Sequence, residues 1–588
     1  MSENAARRHP EDLPSSMRSY LVGLTRGSRI TLGTALVLSV TAAGLSVVQP
    51  RVLQKTVNDG IQGGLQADTI ELLAALVVGT TVIGAVQAYL TGRGAEAVAH
   101  RLRTRLGRRY VSMTISELDA ANTADLLSRA NADSTMVKQF LSAGILPVAG
   151  SVLMLAGTTV FMIMSDPILF AVTAAAFVLG LSLVIAVTNR ANSMSAEVQE
   201  ALGDFSVSTE RMLSALRTIK ATNAEPLELD HLRLSSHNLY RKGLRITVLS
   251  ACVQPALNVC IQGSIAAVIV VGTARLASGA TTLGTLLAYI TYMFMMIAPI
   301  SSLGQAFTQM QIGLGALKRC YEVDFFESED DVRADHQTAI GTASGDELLR
   351  FDSVSFSYEP GTPVLTDVNF VLRRGETVTI VGRSGSGKST LLELIERFYH
   401  PDAGHISLGG VPIDQLDLNS YRRRLALVGQ DSIVLTGTLR ENLELGCHRH
   451  PDSTLYEALE HVGLTDLLGK KDFGLDTDLG QAGITLSGGQ RQRIAWARVL
   501  LSDADIILMD EPDSNLDPVT RSSLTHLLES FAATRTVLIV SHNLEHLNSS
   551  DRVLVMDHGS ILADGCRQEL LATTSEYQDL LAPTQAAA

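Results

Sequence analysis

The sequence predicts a helical membrane domain with six spans, followed by an α/β domain of the P-loop type. The first half of the chain contains six long apolar stretches that carry no charge near their centres. A membrane-spanning helix needs about 20 apolar residues, so each stretch is long enough to cross a bilayer. The second half contains a glycine-rich loop, Gly382–Thr390, between a strand-forming run and a helix-forming run. That arrangement is typical of a phosphate-binding turn.

Composition limits the classes of protein to which the chain can belong. The chain has 588 residues, of which 46% are hydrophobic, and this length allows two or more domains with their own cores. Its formal net charge of -14 argues against nucleic acid as a partner. The five cysteines form no C-x-x-C pair, so we expect neither a disulfide framework nor a cysteine metal site.

Changes in composition along the chain predict its division into domains. The first residues are polar and lack an apolar signal core, so no cleaved export signal is expected. An acidic, polar stretch from Asp324 to about Glu347 interrupts the apolar periodicity and predicts a linker. The predicted divisions are a cytoplasmic N-terminal segment (1–28), a six-helix transmembrane domain (29–320), a linker (321–348), a nucleotide-binding ATPase domain (349–583) and a tail (584–588).

The six apolar stretches are interpreted as transmembrane helices rather than as buried helices of a soluble protein. They are too long for the second interpretation and have no polar face. Lys and Arg are concentrated in the leading segment and in the two long loops after spans two and four, which predicts that these parts and both termini are cytoplasmic. The predicted spans are 29–50, 69–92, 141–165, 167–188, 246–274 and 279–306.

Polar residues inside two spans suggest a cargo cavity. Gln254, Asn258 and Gln262 recur every four residues along span five and therefore share one helix face. Span six carries Tyr289 and Tyr292 beside several methionines. Two interpretations stay open: these residues line a cavity for an amphipathic substrate, or they form hydrogen bonds and packing contacts between helices. No buried acidic or basic residue suggests an ion relay.

The P-loop predicts binding of a nucleoside triphosphate. The strand is Thr377–Val381, and a helix follows from Lys388, so the glycines Gly382, Gly385 and Gly387 lie at the turn between them. Backbone N–H groups of such a loop surround phosphate oxygens, and the helix directs the positive end of its dipole toward them. A second motif, Leu486-Ser-Gly-Gly-Gln490, follows about a hundred residues later. Together the two motifs resemble the nucleotide-binding domain of ABC transporters.

The resemblance assigns a role to each motif residue. It implies that Tyr358 stacks on adenine, that Glu511 is the general base for water, and that His542 contacts the γ-phosphate. Gln430 matches the residue that senses Mg²⁺ and the attacking water, and Asp510 would hold Mg²⁺ together with Ser389. The other implied contacts with ATP are Ser384, Lys388, Thr390 and Asp517 on one subunit and Ser487, Gly488, Gly489 and Gln490 acting on the nucleotide of a second subunit.

The layout of the whole chain resembles an exporter half-transporter of the six-span type IV kind. In that family the two long internal loops end in short coupling helices, here predicted near 118–126 and 212–221. The resemblance implies a dimer, with homodimer and heterodimer both open, in a bacterial cell membrane. One departure is the Gly480-Gln481-Ala482-Gly483 stretch, where exporters often carry a glutamate at position 481 that is thought to meet a coupling helix.

The resulting functional hypothesis is ATP-driven export of a drug, lipid or peptide by alternating access. An importer built on the same fold shares every motif, and a regulatory protein that uses ATP without moving cargo is a second alternative. A soluble ABC ATPase is excluded by the six spans.

Overall fold

We analysed a computed structural model, which describes residues 13–62, 64, 67–329, 346–465, 474–480, 486–512, 516–532, 534–541, 552–575 and 577–578. The chain folds as two compact units. The first contains residues 1–108 and 124–325, and the second contains residues 109–123 and 326–588. The predicted roles of His542 and Gln481 concern positions outside the described residues, as does most of the predicted linker.

The N-terminal half is helical, as predicted from its apolar stretches. Between α5 and α7 the helical run contains two π-helical segments, Arg129–Asp133 and Phe140–Ile145. The helices are α1 Leu13–Thr25, α2 Arg29–Gln62, α3 Ala67–Val111, α4 Ile115–Ala120, α5 Thr123–Ser128, α6 Ser134–Gln139, α7 Leu146–Ser165, α8 Pro167–Ser214, α9 Leu216–Thr222, α10 Glu225–Ala277 and α11 Leu283–Glu322.

Within the described residues, five helical segments are long and apolar enough to cross a membrane. The predicted fourth span, 167–188, lies entirely inside α8, whose shorter apolar stretch is Pro167–Ala176. The five segments are Ser19–Ile61, Ala67–Val111, Thr123–Ser165, Asn258–Ala277 and Leu283–Phe325.

Helices α8 and α10 form a long hairpin around α9. They contain 48 and 53 residues, so each continues far beyond its apolar stretch. Helix α9 ends at Asn223, whose left-handed φ of 53° reverses the chain. At the opposite end of the hairpin, Arg275 pairs with the buried carboxylate of Asp166 at 2.8 Å. The same carboxylate accepts the N–H groups of Ile168 and Leu169 and so caps α8.

Helices α2, α7 and α11 pack together in the core of the first unit. The amide of Gln54 on α2 donates to the hydroxyl of Thr285 on α11 at 2.8 Å. The backbones approach closely here, because a Cβ added at Gly284 would lie 2.4 Å from the carbonyl oxygen of Gln54. This position therefore requires glycine for reasons of packing.

The described part of the second unit contains two sheets, whose orders are β2-β1-β4-β5 and β10-β9-β3-β8-β7-β6. The first sheet is antiparallel, whereas β9, β3, β8, β7 and β6 run parallel in the second. The central parallel strands β3 and β8 are buried along their whole length, as is typical of strands that are covered on both faces. The strands are β1 Glu347–Phe356, β2 Leu365–Arg373, β3 Thr377–Gly382, β4 Ala403–Leu408, β5 Val411–Pro412, β6 Leu425–Val428, β7 Ile506–Asp510, β8 Thr536–Val540, β9 Arg552–Asp557 and β10 Ser560–Gly565.

Besides α4, the second unit contains helices that lie between and after its strands in chain order. Their bounds are Lys388–Ile395, Leu418–Arg422, Leu439–Leu443, Asp452–His461, Gly488–Leu501, Pro518–Ala532 and Arg567–Thr573. Strands β3 and β7 both pair in parallel with β8. Their carboxyl ends therefore lie at the same edge of the sheet, which is where ligands bind in open α/β sheets.

Candidate nucleotide site and predicted cargo region

The glycine-rich loop joins β3 to the helix Lys388–Ile395, as the sequence predicts. All six residues of β3 are buried. Gly385 and Gly387 adopt left-handed φ values of 80° and 95°, which other residues rarely reach. Ser384 and Gly385 are exposed, so the loop presents an open backbone surface next to the start of the helix. This geometry suits the binding of an anion.

Lys388 is buried at the base of this loop. Its Nζ donates to the carbonyl oxygens of Gly382 at 3.0 Å and Arg383 at 2.7 Å. Burial lowers the pKa of Lys388, and the nearby carboxylates of Glu511 and Asp510 oppose that shift. The lysine thus lies beside both carboxylates that the sequence assigns to Mg²⁺ and to catalysis.

Strand β7 presents these carboxylates at its carboxyl end. Asp510 is its last residue and pairs in register with Val540 of β8. Glu511 follows, donates its backbone N–H to the carbonyl of Val540 at 2.9 Å, and adopts a left-handed φ of 47°. Such a conformation costs about 1–3 kcal/mol in a non-glycine residue. The amide of Gln430 donates to the Glu511 carboxylate at 3.3 Å, so the structure brings these two predicted residues together.

Two residues that the sequence reading missed hold this turn in place. Gln492 is fully buried, and its amide donates to the carbonyl of Glu511 at 3.3 Å. The indole of Trp496, also buried, donates to the carbonyl of Pro512 at 3.2 Å. Both lie on the helix Gly488–Leu501, so the helix that begins at the second motif also supports the turn at Glu511, the residue predicted as the general base. Gln492 and Trp496 follow Gln490 by two and six residues, and this closeness to the second motif is the sequence feature that could have indicated their role.

Tyr358 lies just beyond β1, beside the P-loop helix. Its hydroxyl donates to the carboxylate of Glu393 and lies 3.0 Å from the hydroxyl oxygen of Thr390. Burial and the hydrogen bond with Glu393 raise the pKa of Tyr358 to about 12. The residue remains about half-exposed, so part of its surface is open to solvent beside the P-loop helix.

The second motif opens a helix, as predicted. Ser487 is the N-cap residue, and its hydroxyl accepts the N–H of Gln490 at 3.2 Å while the Gln490 side chain accepts the N–H of Ser487 at 2.9 Å. Ser487 is exposed, whereas Leu486 is buried and anchors the turn. Gly488 and Gly489 form the first helical turn. Asp517 likewise caps the helix Pro518–Ala532 by accepting from Thr520.

Sequence models of known protein families match both halves of the chain. Residues 32–300 match the sequence model of the ABC transporter transmembrane region, and residues 365–514 match that of the ABC transporter domain. Together they cover more than half of the chain, in the order of the two folds described above. The chain belongs to the ABC transporters.

This ABC transporter resembles full-length curated relatives. It is 28% identical over 562 residues to the "Multidrug resistance ABC transporter ATP-binding and permease protein" of Lactococcus lactis subsp. cremoris, covering 95% of this chain and 92% of that protein. It is also 28% identical to the "ATP-dependent lipid A-core flippase" of Aliivibrio fischeri, covering 93% of this chain and 94% of that protein. A bacterial Atm1-family ABC exporter with ATP bound has the same fold, with a TM-score of 0.75 at 21% identity, covering 95% of this chain and 98% of that one.

The predicted fold class and the ATP-hydrolysing function coupled to transport are therefore confirmed. One membrane domain and one ATPase domain make this ABC transporter a half-transporter and an integral membrane protein.

The side chains at this ABC transporter's nucleotide site fit Mg²⁺ bound together with ATP. Ser389 supplies an exposed hydroxyl, Asp510 a carboxylate and Gln430 an amide oxygen. Among the described residues there is no group of three or more acidic, His or Cys side chains that could hold a metal by itself. That arrangement suits Mg²⁺, which usually binds through one or two carboxylates with substrate phosphates and water.

The transporter's predicted cargo residues fall into two groups. Tyr289 and Tyr292 are almost fully buried, and their hydroxyls contact Thr173 and the carbonyl of Val47, both at 3.1 Å. They pack in a cluster with Met162 and Leu169, which fits the packing interpretation better than the cavity interpretation. Asn258 and Gln262 on α10 are exposed in the single chain, and the side chain of Gln254 lies outside the described residues. The cavity role of the α10 face stays a prediction.

A cysteine at Gln262 tests this role, in a chain whose five native cysteines have been replaced. If the face lines an aqueous cavity, Gln262→Cys reacts with a charged methanethiosulfonate, and trapping the transporter with ADP and vanadate changes the rate. Val268→Cys is the control, because Val268 is fully buried on the same helix. Failure of Gln262→Cys to react in either state, with ATP hydrolysis intact, would identify the face as a packed interface.

Proposed function

We propose that the chain is one half of a dimeric ATP-driven exporter that moves an amphipathic drug, lipid or peptide out of a bacterial cytoplasm. The observation that carries this proposal is the nucleotide site, in which Lys388 lies near Asp510 and Glu511, and the amide of Gln430 donates a hydrogen bond to the Glu511 carboxylate. Glu511 acts as the base for the attacking water, and Lys388 neutralises phosphate charge. Ser389, Asp510 and Gln430 would hold Mg²⁺, which would supply further positive charge to the phosphates.

Exposed apolar residues on the α8–α10 hairpin favour the proposed association with a second subunit. Val207, Leu234 and Tyr240 are each more than half exposed in the single chain. Tyr240 lies about 55 Å along the helix from the end of α10 at Ala277, and the hydrocarbon core of a bilayer is only about 30 Å thick. Lipid therefore does not cover these side chains if the end at Ala277 is external. Large apolar side chains exposed to water are stabilised when a protein partner covers them.

The cargo class and direction rest on composition and on the relatives. The apolar stretches lack charges near their centres, which favours an amphipathic cargo over an ion. The names of the matched relatives describe a multidrug transporter and a lipid flippase. We place the ATPase domain and both termini in the cytoplasm, in accordance with the distribution of Lys and Arg.

Vesicles with the ATPase domains facing outward test this proposal. We expect ATP to drive ethidium or a short-chain fluorescent phospholipid into the lumen or the inner leaflet, and Glu511→Gln to abolish that movement. Uptake only into vesicles of the opposite orientation, with ATP inside, would identify an importer. Steady ATP hydrolysis that moves neither probe in either orientation would favour the regulatory alternative.

A further inference from the structure

The segment that follows α11 pairs with the chain at the end of α3. Met113 and Ser328 form an antiparallel β-bridge. The N–H of Thr114 donates to the carbonyl of Glu327 at 3.1 Å, and the N–H of Glu329 donates to the carbonyl of Ser112 at 2.8 Å. We call residues 109–114 together with 326–329 the clip. Arg109 reinforces it by donating to the carbonyl of Phe326 at 2.6 Å.

An ion pair attaches the clip to the ATPase domain. Both guanidinium nitrogens Nη1 and Nη2 of Arg422 donate to the carboxylate of Glu329, at 3.0 and 2.9 Å. Arg422 also donates to the carbonyl of Glu396 at 3.0 Å and lies over the ring of Phe398. Both side chains of the pair are largely shielded from solvent. A two-point arginine–carboxylate contact fixes orientation as well as distance.

Arg422 is in turn connected by the chain to the catalytic residues. It ends the helix Leu418–Arg422, which is followed by β6 and then by Gln430. The amide of Gln430 donates a hydrogen bond to the Glu511 carboxylate, as described above. A displacement of Gln430 when γ-phosphate binds or leaves would therefore act through one short strand on Arg422 and the clip.

A second contact attaches the helix α4 that follows the clip. The hydroxyl of Tyr399 donates to the carboxylate of Asp119 on α4. The ring of Tyr399 meets the edge of the Tyr358 ring at a centroid distance of 5.1 Å. Tyr358 forms a hydrogen bond with Thr390 on the P-loop helix. The contact at Asp119 is thus connected, through Tyr399 and Tyr358, to the side of the nucleotide site where adenine is expected to bind.

We propose that Arg422 and Tyr399 are positioning residues that carry the nucleotide state to the membrane helices within one subunit. The chain crosses between its two units after residues 108, 123 and 325, and all three crossings adjoin the clip or α4. A motion of the clip therefore moves α3 and α11 together. The proposal rests on the transport function proposed above. It gives this chain a coupling route that needs no glutamate at position 481.

Hydrogen exchange of the full-length, dimer-competent transporter in lipid nanodiscs tests this proposal without a known cargo. Trapping the wild type with ADP and vanadate is expected to change exchange in the ATPase domain and in α3 and α11. In Arg422→Met and in Tyr399→Phe, the ATPase domain still responds and basal hydrolysis stays comparable, but the response of α3 and α11 falls by at least half. Arg350→Met is the matched control, because Arg350 makes a two-point contact with Glu347 on its own strand.

The exchanged pair Glu329→Arg with Arg422→Glu separates direct coupling from a general structural role. Recovery of the α3 and α11 response in the exchanged pair supports the ion pair as the route. An Arg422→Met variant that responds like the wild type overturns the proposal, and so does an exchanged pair that recovers nothing. Absence of any α3 or α11 response in the wild type would contradict the proposed transport function itself.

Discussion

Glu511→Gln is expected to lower steady-state ATP hydrolysis by at least about 10², because a positioned general base contributes about 10² to 10⁴ to a rate. Glutamine has the same shape as glutamate, so the left-handed turn at this position and its N–H bond to Val540 are preserved. The variant keeps Lys388 and the glycine-rich loop, and ATP binding should therefore stay intact. The expected product is a closed transporter that retains ATP.

The measurement is the release of phosphate by the purified transporter, together with the amount of retained radiolabelled ATP. Glu529→Gln provides the matched control, since Glu529 is an exposed glutamate in the helix Pro518–Ala532 of the same domain. Hydrolysis by Glu511→Gln within about threefold of the wild type would contradict the assignment, because that is far below the contribution of a general base.

The nucleotide site could be predicted well because its signals are local. The buried strand β3, the loop glycines and the helix that begins at Lys388 are consecutive in the sequence and depend on backbone rules. The capping box at Ser487 and Gln490 is local for the same reason. The support from Gln492 and Trp496 was missed, because it depends on a helix packing against a turn that is formed about twenty residues later.

The membrane half was predicted less completely, because apolar composition marks the bilayer and not the ends of a helix. Helix α8 continues to Ser214 and α10 begins at Glu225, so both extend beyond the apolar spans. The helical spacing of apolar residues in the long loops, as in Leu213, Leu216 and Ile219, predicts this extension, but the spacing does not give the residues at which each helix ends. Near the predicted coupling segment 118–126, the structure has two helices, α4 and α5. The start of α4 at Ile115 follows from Thr114, whose side chain accepts the N–H of Glu117. That Thr-x-x-Glu pattern was present in the sequence.

Tertiary contacts account for the remaining differences. The stretch from Asp324 is predicted as a linker, and its described residues 327–329 form hydrogen bonds with residues 112–114 that the sequence does not predict. A short bridge between distant segments leaves no periodic signal in either of them. The burial of Tyr289 and Tyr292 likewise depends on Thr173 and Val47, which lie on other helices.

We expect that, in a homodimer, each ATP is held by two copies of this chain, with Ser487 of one copy facing the Lys388 loop of the other. Lys388→Ala removes a charge that meets the phosphates, and Ser487→Arg fills the exposed helix start that should receive the γ-phosphate. Either variant alone, as a homodimer, damages both composite sites and should retain almost no ATP. A mixed dimer of the two variants has one intact site and one doubly damaged site.

The most direct measurement is ATP occlusion by the mixed dimer, with Glu511→Gln in both copies so that the nucleotide is retained. The two copies carry different tags and are purified through both in succession. We expect one retained ATP per mixed dimer, two per dimer of Glu511→Gln alone, and almost none for either homodimeric double variant. A mixed dimer that retains no more ATP than those homodimers would contradict the shared site.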